Sequence, residues 1–208
     1  MNRKRPLQIV ALVLAVVLVW LLLYWEPSKT AATPPGQHSA LASAPKGGDF
    51  TLVGGNGPVA LADYRGKVVV LYFGYTYCPD VCPTSLSRIA QGFSELDAAE
   101  LRKVQGILIS VDPERDTPLR LADYAPFFHP SLIGVTGTAE QISAVAGQYG
   151  ASYRKHPQDA DGHYSVDHTS LTYIIGPDGK LMTSLPYDST PHQIIASIRP
   201  LLASTMNQ

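Results

Sequence analysis

The residues best suited to chemistry in this chain are its two cysteines, Cys78 and Cys82, which are four residues apart and each followed by a proline. Thiolates act as nucleophiles, as redox partners or as soft metal ligands. Two thiols are too few for a disulfide-rich scaffold or for a zinc site of four thiolates. A static disulfide, thiol exchange and metal binding remain open. Thioredoxin-like redox motifs have two residues between their cysteines, and the three found here favour a metal ion.

A metal ion held by two thiolates needs a further ligand or an open position, so the histidines matter. His163 and His168 precede a strand predicted late in the chain, and the start of such a strand can approach the cysteine loop. Spacing alone leaves His168 evenly balanced between a ligand and an ordinary hydrogen-bonded turn residue. The other histidines are interpreted as solvated surface residues: His38, His129, His156 and His192.

The cysteine pair lies between two predicted elements, the buried strand Lys67–Phe73 and a helix from about Pro83 to Leu96. The strand is a continuous β-branched and apolar run, which is typical of a strand covered on both faces. In open α/β sheets, ligands bind at the carboxyl ends of such strands. The spacing of four residues predicts both sulfurs on one face of the first helical turn, where the helix N-terminus favours thiolate.

The remaining pattern alternates between strands and helices. Further strands are predicted at Asp49–Val53, Gly106–Val111, Leu132–Val135, Ser170–Ile175 and Lys180–Leu185, and further helices at Pro118–Phe128, Ala139–Tyr149 and Thr190–Leu202. The turn residues Gly176–Gly179 predict a hairpin between the last two strands. This order predicts a three-layer α/β domain over residues 49–208, with a mostly parallel central sheet and one antiparallel hairpin.

The N-terminal segment is predicted to be a membrane anchor. A basic stub (residues 1–6) precedes the apolar run Leu7–Trp25, which is long enough to span a bilayer and has aromatic residues at its far end. No small-residue cleavage site follows closely, so an uncleaved transmembrane helix is favoured over a signal peptide. Residues 26–48, rich in Pro, Ala and Ser, predict a flexible linker. The positive charges before the run predict an N-terminus in the cytoplasm and a domain on the far side of the membrane, which for a bacterial inner membrane is the periplasm.

Composition excludes two broad classes of protein. The hydrophobic fraction of 45% is too high for a disordered chain. The 16 basic and 17 acidic residues nearly balance, but the N-terminal segment holds several of the basic ones. The domain that follows therefore has an acidic surplus, which argues against a nucleic-acid partner.

Three motifs in order resemble the Sco/SenC family of membrane-anchored copper chaperones for cytochrome c oxidase. They are Tyr72–Pro83 (YFGYTYCPDVCP), Val111–Pro118 (VDPERDTP), and Val166–His168 (VDH) followed by Pro177–Gly179 (PDG). The resemblance implies a thioredoxin-like three-layer fold with a central mixed sheet. It also implies that copper, as Cu(I) or Cu(II), is bound by Cys78, Cys82 and His168. The Asp112–Pro118 stretch either shapes that site or only caps the following helix.

The resemblance also implies partners. Copper would pass from a donor to the binuclear copper centre in the copper-bearing subunit of the oxidase. Loading would need a thiol reductant, because a Cys78–Cys82 disulfide cannot ligate the ion. This role is that of a metallochaperone rather than an enzyme. The alternatives are a thiol:disulfide oxidoreductase that keeps the oxidase cysteines reduced, or a copper or redox sensor. Thioredoxins carry a proline facing their cysteines, and Asp167–Ser170 has none, which favours metal.

Overall fold

A computed structural model describes residues 14, 16–20 and 45–204 of the chain. Most of the predicted anchor Leu7–Trp25, the basic stub before it and residues 26–44 of the predicted linker lie outside the described residues. Within the described part, no helix is both long enough and apolar enough to cross a membrane. The fold that follows belongs to the unit Ser43–Gln208.

The described domain alternates strands and helices in largely the predicted order. In chain order the elements are β1 (Thr51–Gly54), β2 (Gly57–Ala60), a 3-10 turn (Leu61–Tyr64), β3 (Val68–Gly74), α1 (Val81–Ser94), α2 (Ala98–Leu101), β4 (Val104–Ser110), α3 (Pro118–Phe128), β5 (Leu132–Thr136), α4 (Ala139–Gln148), β6 (Tyr153–Lys155), β7 (Val166–His168), β8 (Thr172–Ile175), β9 (Leu181–Leu185) and α5 (Pro191–Ser204). Strands β2, β6 and β7 and the short helix α2 were not predicted.

The main sheet has the strand order β2-β1-β5-β4-β3-β8-β9. Only the pairings of β4 with β3 and with β5 are parallel, and the outer pairings are antiparallel. The prediction of a mostly parallel sheet is therefore wrong, whereas the mixed sheet is confirmed. The unpredicted strand β2 follows β1 after a short turn, and a short turn can only join antiparallel strands. The pairings of β1 with β5 and of β3 with β8 are antiparallel as well.

Helices cover both faces of the sheet, as the buried strand β3 shows. Side chains alternate between faces along a strand. The Phe73 ring contacts Tyr149, at the end of α4, on one face. On the other face Gly74 lies against Cys82 of α1. Helix α1 in turn packs on α5 through Gly92 and Ile195. The three-layer arrangement predicted from the order of the elements is confirmed.

A second, two-stranded sheet lies outside the main one. Strands β6 and β7 pair antiparallel, with Tyr153 opposite His168. Thr169 extends the pairing, because its N–H donates to the carbonyl of Ser152 at 2.9 Å. This small hairpin carries His168 to the edge of the main sheet where β3 and β4 end.

Candidate metal centre

The two cysteines lie at the carboxyl end of β3, and only one of them is in the helix. Helix α1 begins at Val81, so Cys82 is in its first turn while Cys78 lies in the preceding loop. The prediction that both sulfurs share the first helical turn is therefore wrong. They still converge, because Cys78 Sγ accepts the backbone N–H of Cys82 at 3.4 Å. Both are free thiols. A Cβ on Gly74 would stand 2.9 Å from Cys82 Sγ, so glycine makes room for the sulfur.

The surroundings of the two sulfurs move their pKa values in opposite directions. The pKa of Cys78 is held well below its usual range, first by a hydrogen bond from the Cys82 thiol and then by His168 and backbone N–H groups. The same pairing with Cys78, together with burial, raises the pKa of Cys82. The half-buried sulfur is consequently the thiolate, and the fully buried sulfur keeps its proton.

His168 completes the group from the small hairpin. Its Nε2 lies 3.2 Å from Cys82 Sγ, and its Nδ1 lies 3.2 Å from the carbonyl oxygen of Thr169. A ring that keeps a proton on Nε2 donates to the sulfurs in the metal-free protein; to ligate a metal, Nε2 must give up that proton while Nδ1–H donates to the Thr169 carbonyl, as in metal-binding histidines. The imidazole ring packs edge to face against the rings of Tyr72 and Tyr75, at centroid distances of 6.0 and 5.8 Å. The structure thus brings together all three predicted site residues.

Asp116, which is fully buried, holds the cysteine loop in place. Its carboxylate accepts hydrogen bonds from the backbone N–H of Thr76 at 2.9 Å and from the Thr76 hydroxyl at 2.6 Å. The Ser110 hydroxyl at the end of β4 donates a third bond at 2.6 Å. Asp116 therefore ties the loop that begins the cysteine motif to the neighbouring strand.

The histidine segment is fixed by Arg115, from the same stretch of chain. Arg115 Nε donates to buried Asp112 at 2.5 Å, and its Nη1 donates to the carbonyl of Tyr164 at 2.9 Å. Its guanidinium also lies 3.5 Å from the centre of the Tyr164 ring and 4.6 Å from that of Tyr77. Arg115 thus contacts both the cysteine loop and the segment that leads to His168.

These contacts answer what the Asp112–Pro118 stretch does. It caps the following helix, since the Thr117 hydroxyl accepts the N–H of Arg120 at 3.2 Å, and it also shapes the site. Sequence reasoning noticed this motif but did not identify Arg115 and Asp116 as the residues that hold the two halves together. The available signal was a cluster of charges directly after a buried strand, where a charge needs a buried partner.

The site is open to solvent on one side. A cleft of about 400 Å³ is lined by Tyr75, Cys78, Val81, Ser165, Val166, Asp167, His168 and Ser170. Cys82 does not line the cleft and has no exposed surface. A ligand of another molecule can therefore approach from the side of Cys78 and His168.

The other described histidines lie away from the sulfurs. His129, predicted to be solvated, is instead half-buried against the Phe93 ring at 5.5 Å, and burial lowers its pKa. The reason is that its Nδ1 accepts the N–H of Ser131 and so draws the ring inward. His192 is exposed as predicted, and His38 lies outside the described residues.

Two histidines near the β6–β7 hairpin have carboxylate neighbours. His156, also predicted to be solvated, is half-buried, and its Nε2 lies 2.8 Å from the carboxylate of Asp167. His163 is exposed beside Asp159 and Asp161. Neither histidine belongs to the group formed by the two cysteines and His168.

Comparison with known proteins decides the family. A family model described as SCO1/SenC matches residues 38–203. The chain belongs to the SCO1/SenC family. The mitochondrial SCO2 homolog of Bos taurus is 41% identical over 188 residues, which are 89% of this chain and 70% of the bovine protein.

Solved SCO1/SenC structures share the fold. The solution structure of apo Sco1 from Thermus thermophilus has a TM-score of 0.70 and 38% identity, covering 78% of this chain and 94% of that one. Bradyrhizobium japonicum ScoI with copper bound has a TM-score of 0.66 and 38% identity, covering 75% and 99%. BsSco, a member of the Sco family of cytochrome c oxidase assembly proteins in which a disulfide switch has been identified, has a TM-score of 0.60 and 26% identity. The match covers 77% of this chain and 95% of BsSco. The predicted thioredoxin-like α/β fold is confirmed.

In this SCO1/SenC domain the grouped atoms form a soft donor set. The two Sγ atoms and the imidazole nitrogen lie within 4.8 Å of one another. Thiolates select Cu(I), and an imidazole also suits Cu(II). Structural zinc takes four protein ligands, whereas this group offers three and an open side. The donors present therefore fit one copper ion.

Proposed function

We propose that the domain binds one copper ion through Cys78, Cys82 and His168 and delivers it to cytochrome c oxidase during assembly of the enzyme. The observation that carries the proposal is the convergence of these three donors within 4.8 Å at the edge of an open cleft. The copper-bound Bradyrhizobium relative, 38% identical, supports the choice of metal. The description of BsSco supports the oxidase as recipient.

Copper is the cargo of this site, and the geometry suits transfer. Three donors leave copper coordinatively unsaturated, so a recipient's sulfur or nitrogen can attach before this chain's ligands leave. The recipient enters through the cleft beside Cys78 and His168, the two donors that are partly accessible. The buried Cys82 sulfur is then the last of the three donors to release the ion. The binuclear copper centre of the oxidase is the recipient that the family resemblance implies.

Loading releases one proton from the buried sulfur. Cys78 is already a thiolate, whereas the raised pKa of Cys82 keeps that thiol protonated in the metal-free protein. Copper binding must displace this proton, because only the thiolate ligates the ion. We expect copper affinity to fall as the pH is lowered.

The decisive experiment is a Cu(I) titration of the reduced full chain against a competing chelator. We expect one ion to bind and His168→Ala to weaken binding by more than the roughly 10–100-fold typical of losing an outer-shell partner. His192→Ala is the matched control, because that side chain is exposed on α5. X-ray absorption that shows no sulfur ligand, or an equal loss in His192→Ala, would contradict the proposal.

We also propose that Cys78 and Cys82 form a disulfide between rounds of copper binding, so that a thiol reductant must act before loading. The two sulfurs are neighbours across the start of α1, and Cys78 is a partly accessible thiolate. The disulfide switch reported for BsSco supports this cycle. Mass spectrometry of the air-oxidised protein should show loss of two hydrogens and no copper uptake until reduction.

A second candidate function is thiol:disulfide exchange with the oxidase cysteines. It is favoured by the same low-pKa sulfur, since Cys78 can attack a disulfide and Cys82 can resolve the mixed disulfide. Oxidase assembly in cells carrying His168→Ala separates the two functions. Copper delivery predicts loss of assembly that excess copper partly restores. Thiol exchange predicts full assembly at limiting copper, because imidazole is not needed for that reaction.

We further propose that Leu7–Trp25 stays on the mature protein as a transmembrane anchor, with residues 26–48 as a linker and the domain from residue 49 in the periplasm. The apolar run and the preceding Arg3, Lys4 and Arg5 support this topology. N-terminal sequencing of the membrane-bound protein tests it. A mature chain that starts within the linker would show that the segment is a cleaved signal.

A further inference from the structure

Tyr72 carries a buried polar group beside the proposed copper site. The Tyr72 hydroxyl is inaccessible to solvent and has no hydrogen-bond partner among the described residues, although the side chain is 99% buried (1% exposed) in strand β3. Buried hydroxyls are normally hydrogen-bonded, because leaving one unpaired in a protein interior costs free energy. An exception at this position calls for a physical reason.

The Tyr72 side chain lies against two of the three proposed donors, His168 and Cys82. Its ring meets the His168 ring edge to face at a centroid distance of 6.0 Å. A Cβ placed on Gly74 would be 2.9 Å from both Tyr72 Cε1 and Cys82 Sγ, so ring and sulfur flank the same narrow gap. A tyrosine hydroxyl carries its proton at neutral pH, so it is available as a donor.

We propose that the Tyr72 hydroxyl donates a hydrogen bond to the Cys82 sulfur when that sulfur becomes a copper-bound thiolate. This inference rests on the proposed copper site. A neutral thiol is a weak acceptor, and the hydroxyl makes no hydrogen bond of normal geometry in the metal-free protein, although the Ser85 and Ser170 hydroxyls lie nearby. Loss of the thiol proton on copper binding creates a charged acceptor in a buried place, where hydrogen bonds to charge are strongest.

The bond makes Tyr72 a positioning residue that favours the loaded state. Donors to a ligating sulfur withdraw electron density from it and tune the metal, as outer-shell contacts do in other metal sites. The bond is made only after the proton leaves, so it stabilises the copper complex without stabilising the metal-free fold. This differential effect separates a tuning role from a purely structural one.

The test compares Tyr72→Phe with Tyr173→Phe in the reduced full chain. Tyr173 is a matched control: its hydroxyl is also buried without a partner among the described residues, and it sits on the neighbouring strand β8 opposite Leu71. Alternation along the strands places Tyr173 on the other face of the sheet from Tyr72. Neither substitution removes an existing hydrogen bond, so both variants should fold with unchanged metal-free stability.

We expect Tyr72→Phe to weaken Cu(I) binding by about 10-fold, the loss typical of an outer-shell partner. We also expect the sulfur-to-Cu(II) charge-transfer band to move to longer wavelength, since a sulfur without the donor gives up its electrons more easily. Tyr173→Phe should leave both readouts at the wild-type values.

Each other outcome overturns the inference in a recognisable way. An unchanged affinity and band in Tyr72→Phe would refute the hydrogen bond while leaving the copper site intact. Equal changes in Tyr173→Phe would assign the effect to general repacking of the core. A metal-free stability lowered only in Tyr72→Phe would show that the hydroxyl already has a partner in the apo fold. Absence of copper binding in the wild-type chain would remove the proposed function itself.

Discussion

The two halves of the proposed copper site are built in different ways. The cysteine half is local: within the segment from Tyr75 to Cys82, the backbone turns so that Cys78 Sγ accepts the N–H of Cys82 at the start of a helix. The histidine half is a hairpin of two three-residue strands, too short to be stable by itself. It is held through contacts with residues distant in the sequence, above all with Arg115.

This difference predicts which residues control which property. The cysteine half should keep its geometry and its sulfur chemistry when the hairpin is disturbed, because its hydrogen bonds lie within the loop and to Asp116. The histidine half should lose its place when Arg115 is removed. The hydroxyl of Tyr75 also joins the halves, because it accepts the N–H of Val166 at 3.3 Å. Copper affinity, which needs both halves, reports their alignment.

The largest effect on copper affinity is expected for Cys82→Ser, which removes the sulfur that lies next to both Cys78 and His168. A hydroxyl is a poor ligand for Cu(I), and the remaining sulfur and imidazole lose the central atom of the group. Binding should weaken by more than the roughly 10–100-fold expected for any outer-shell change. Competition titration of the reduced protein measures it, with Ser94→Ala at the far end of α1 as the control. A wild-type affinity in Cys82→Ser would exclude this sulfur as a ligand.

The next effect is on stability and belongs to the cysteine half. Asp116→Ala removes three accepted hydrogen bonds in the interior and leaves the Thr76 and Ser110 donors unpaired. We expect a loss of roughly 3 kcal/mol in the free energy of unfolding, the range for unsatisfied buried donors. Urea denaturation measures it.

The matched control for that change is Asp123→Ala, on the same helix α3 but exposed. Substitutions at such surface positions usually change stability by within about 0.5 kcal/mol. Similar losses in the two variants would contradict the role assigned to Asp116, since an exposed carboxylate and a buried anchor would then be equivalent.

The same contrast between local and distant contacts explains what could be predicted from the sequence. Strand β3, the β8–β9 hairpin and the Thr117 cap of α3 follow from patterns a few residues long. Strands β6 and β7 were missed because three-residue strands carry almost no periodicity. Local pattern also left His168 evenly balanced, and only the family resemblance selected it. The bonds from Arg115 to Tyr164 and from Thr76 to Asp116 span 49 and 40 residues, and no local signal encodes them.

A smaller effect is expected when the histidine half is released. Arg115→Ala removes the bond to the Tyr164 carbonyl and the stacking on the Tyr164 ring, so the segment before His168 loses its fixed position. It also leaves the buried Asp112 carboxylate without its ion pair, so unfolding of the metal-free variant is measured beside copper affinity. We expect copper affinity to fall by about 10-fold, as for other outer-shell residues. Arg88→Ala is the matched control, because Arg88 also contacts a carbonyl and a ring, those of Tyr187. Equal losses in both variants would contradict the specific role of Arg115.

The smallest expected effect is a nearly absent pH dependence, which tests whether the cysteine half sets its own chemistry. The lowered pKa of Cys78 means that its thiolate persists to a pH well below the ordinary thiol range. Its alkylation by iodoacetamide should therefore change little between about pH 6 and pH 8, whereas an ordinary thiol of pKa near 8.5 would speed up about 80-fold. Cys82 should stay unmodified, because its pKa is raised and it is buried. Peptide mass spectrometry measures both sites in the metal-free protein.

Two variants then show which half is responsible for that flat profile. Because the Cys82 thiol is the first cause of the low Cys78 pKa and His168 a lesser one, Cys82→Ala should make alkylation rise steeply with pH. His168→Ala should leave the profile nearly flat. The reverse result, steep in His168→Ala and flat in Cys82→Ala, would mean that the distant hairpin governs the sulfur, and the independence of the two halves would be wrong. A flat profile in both would instead assign the low pKa to the N–H groups at the start of α1, the remaining donors that face Cys78.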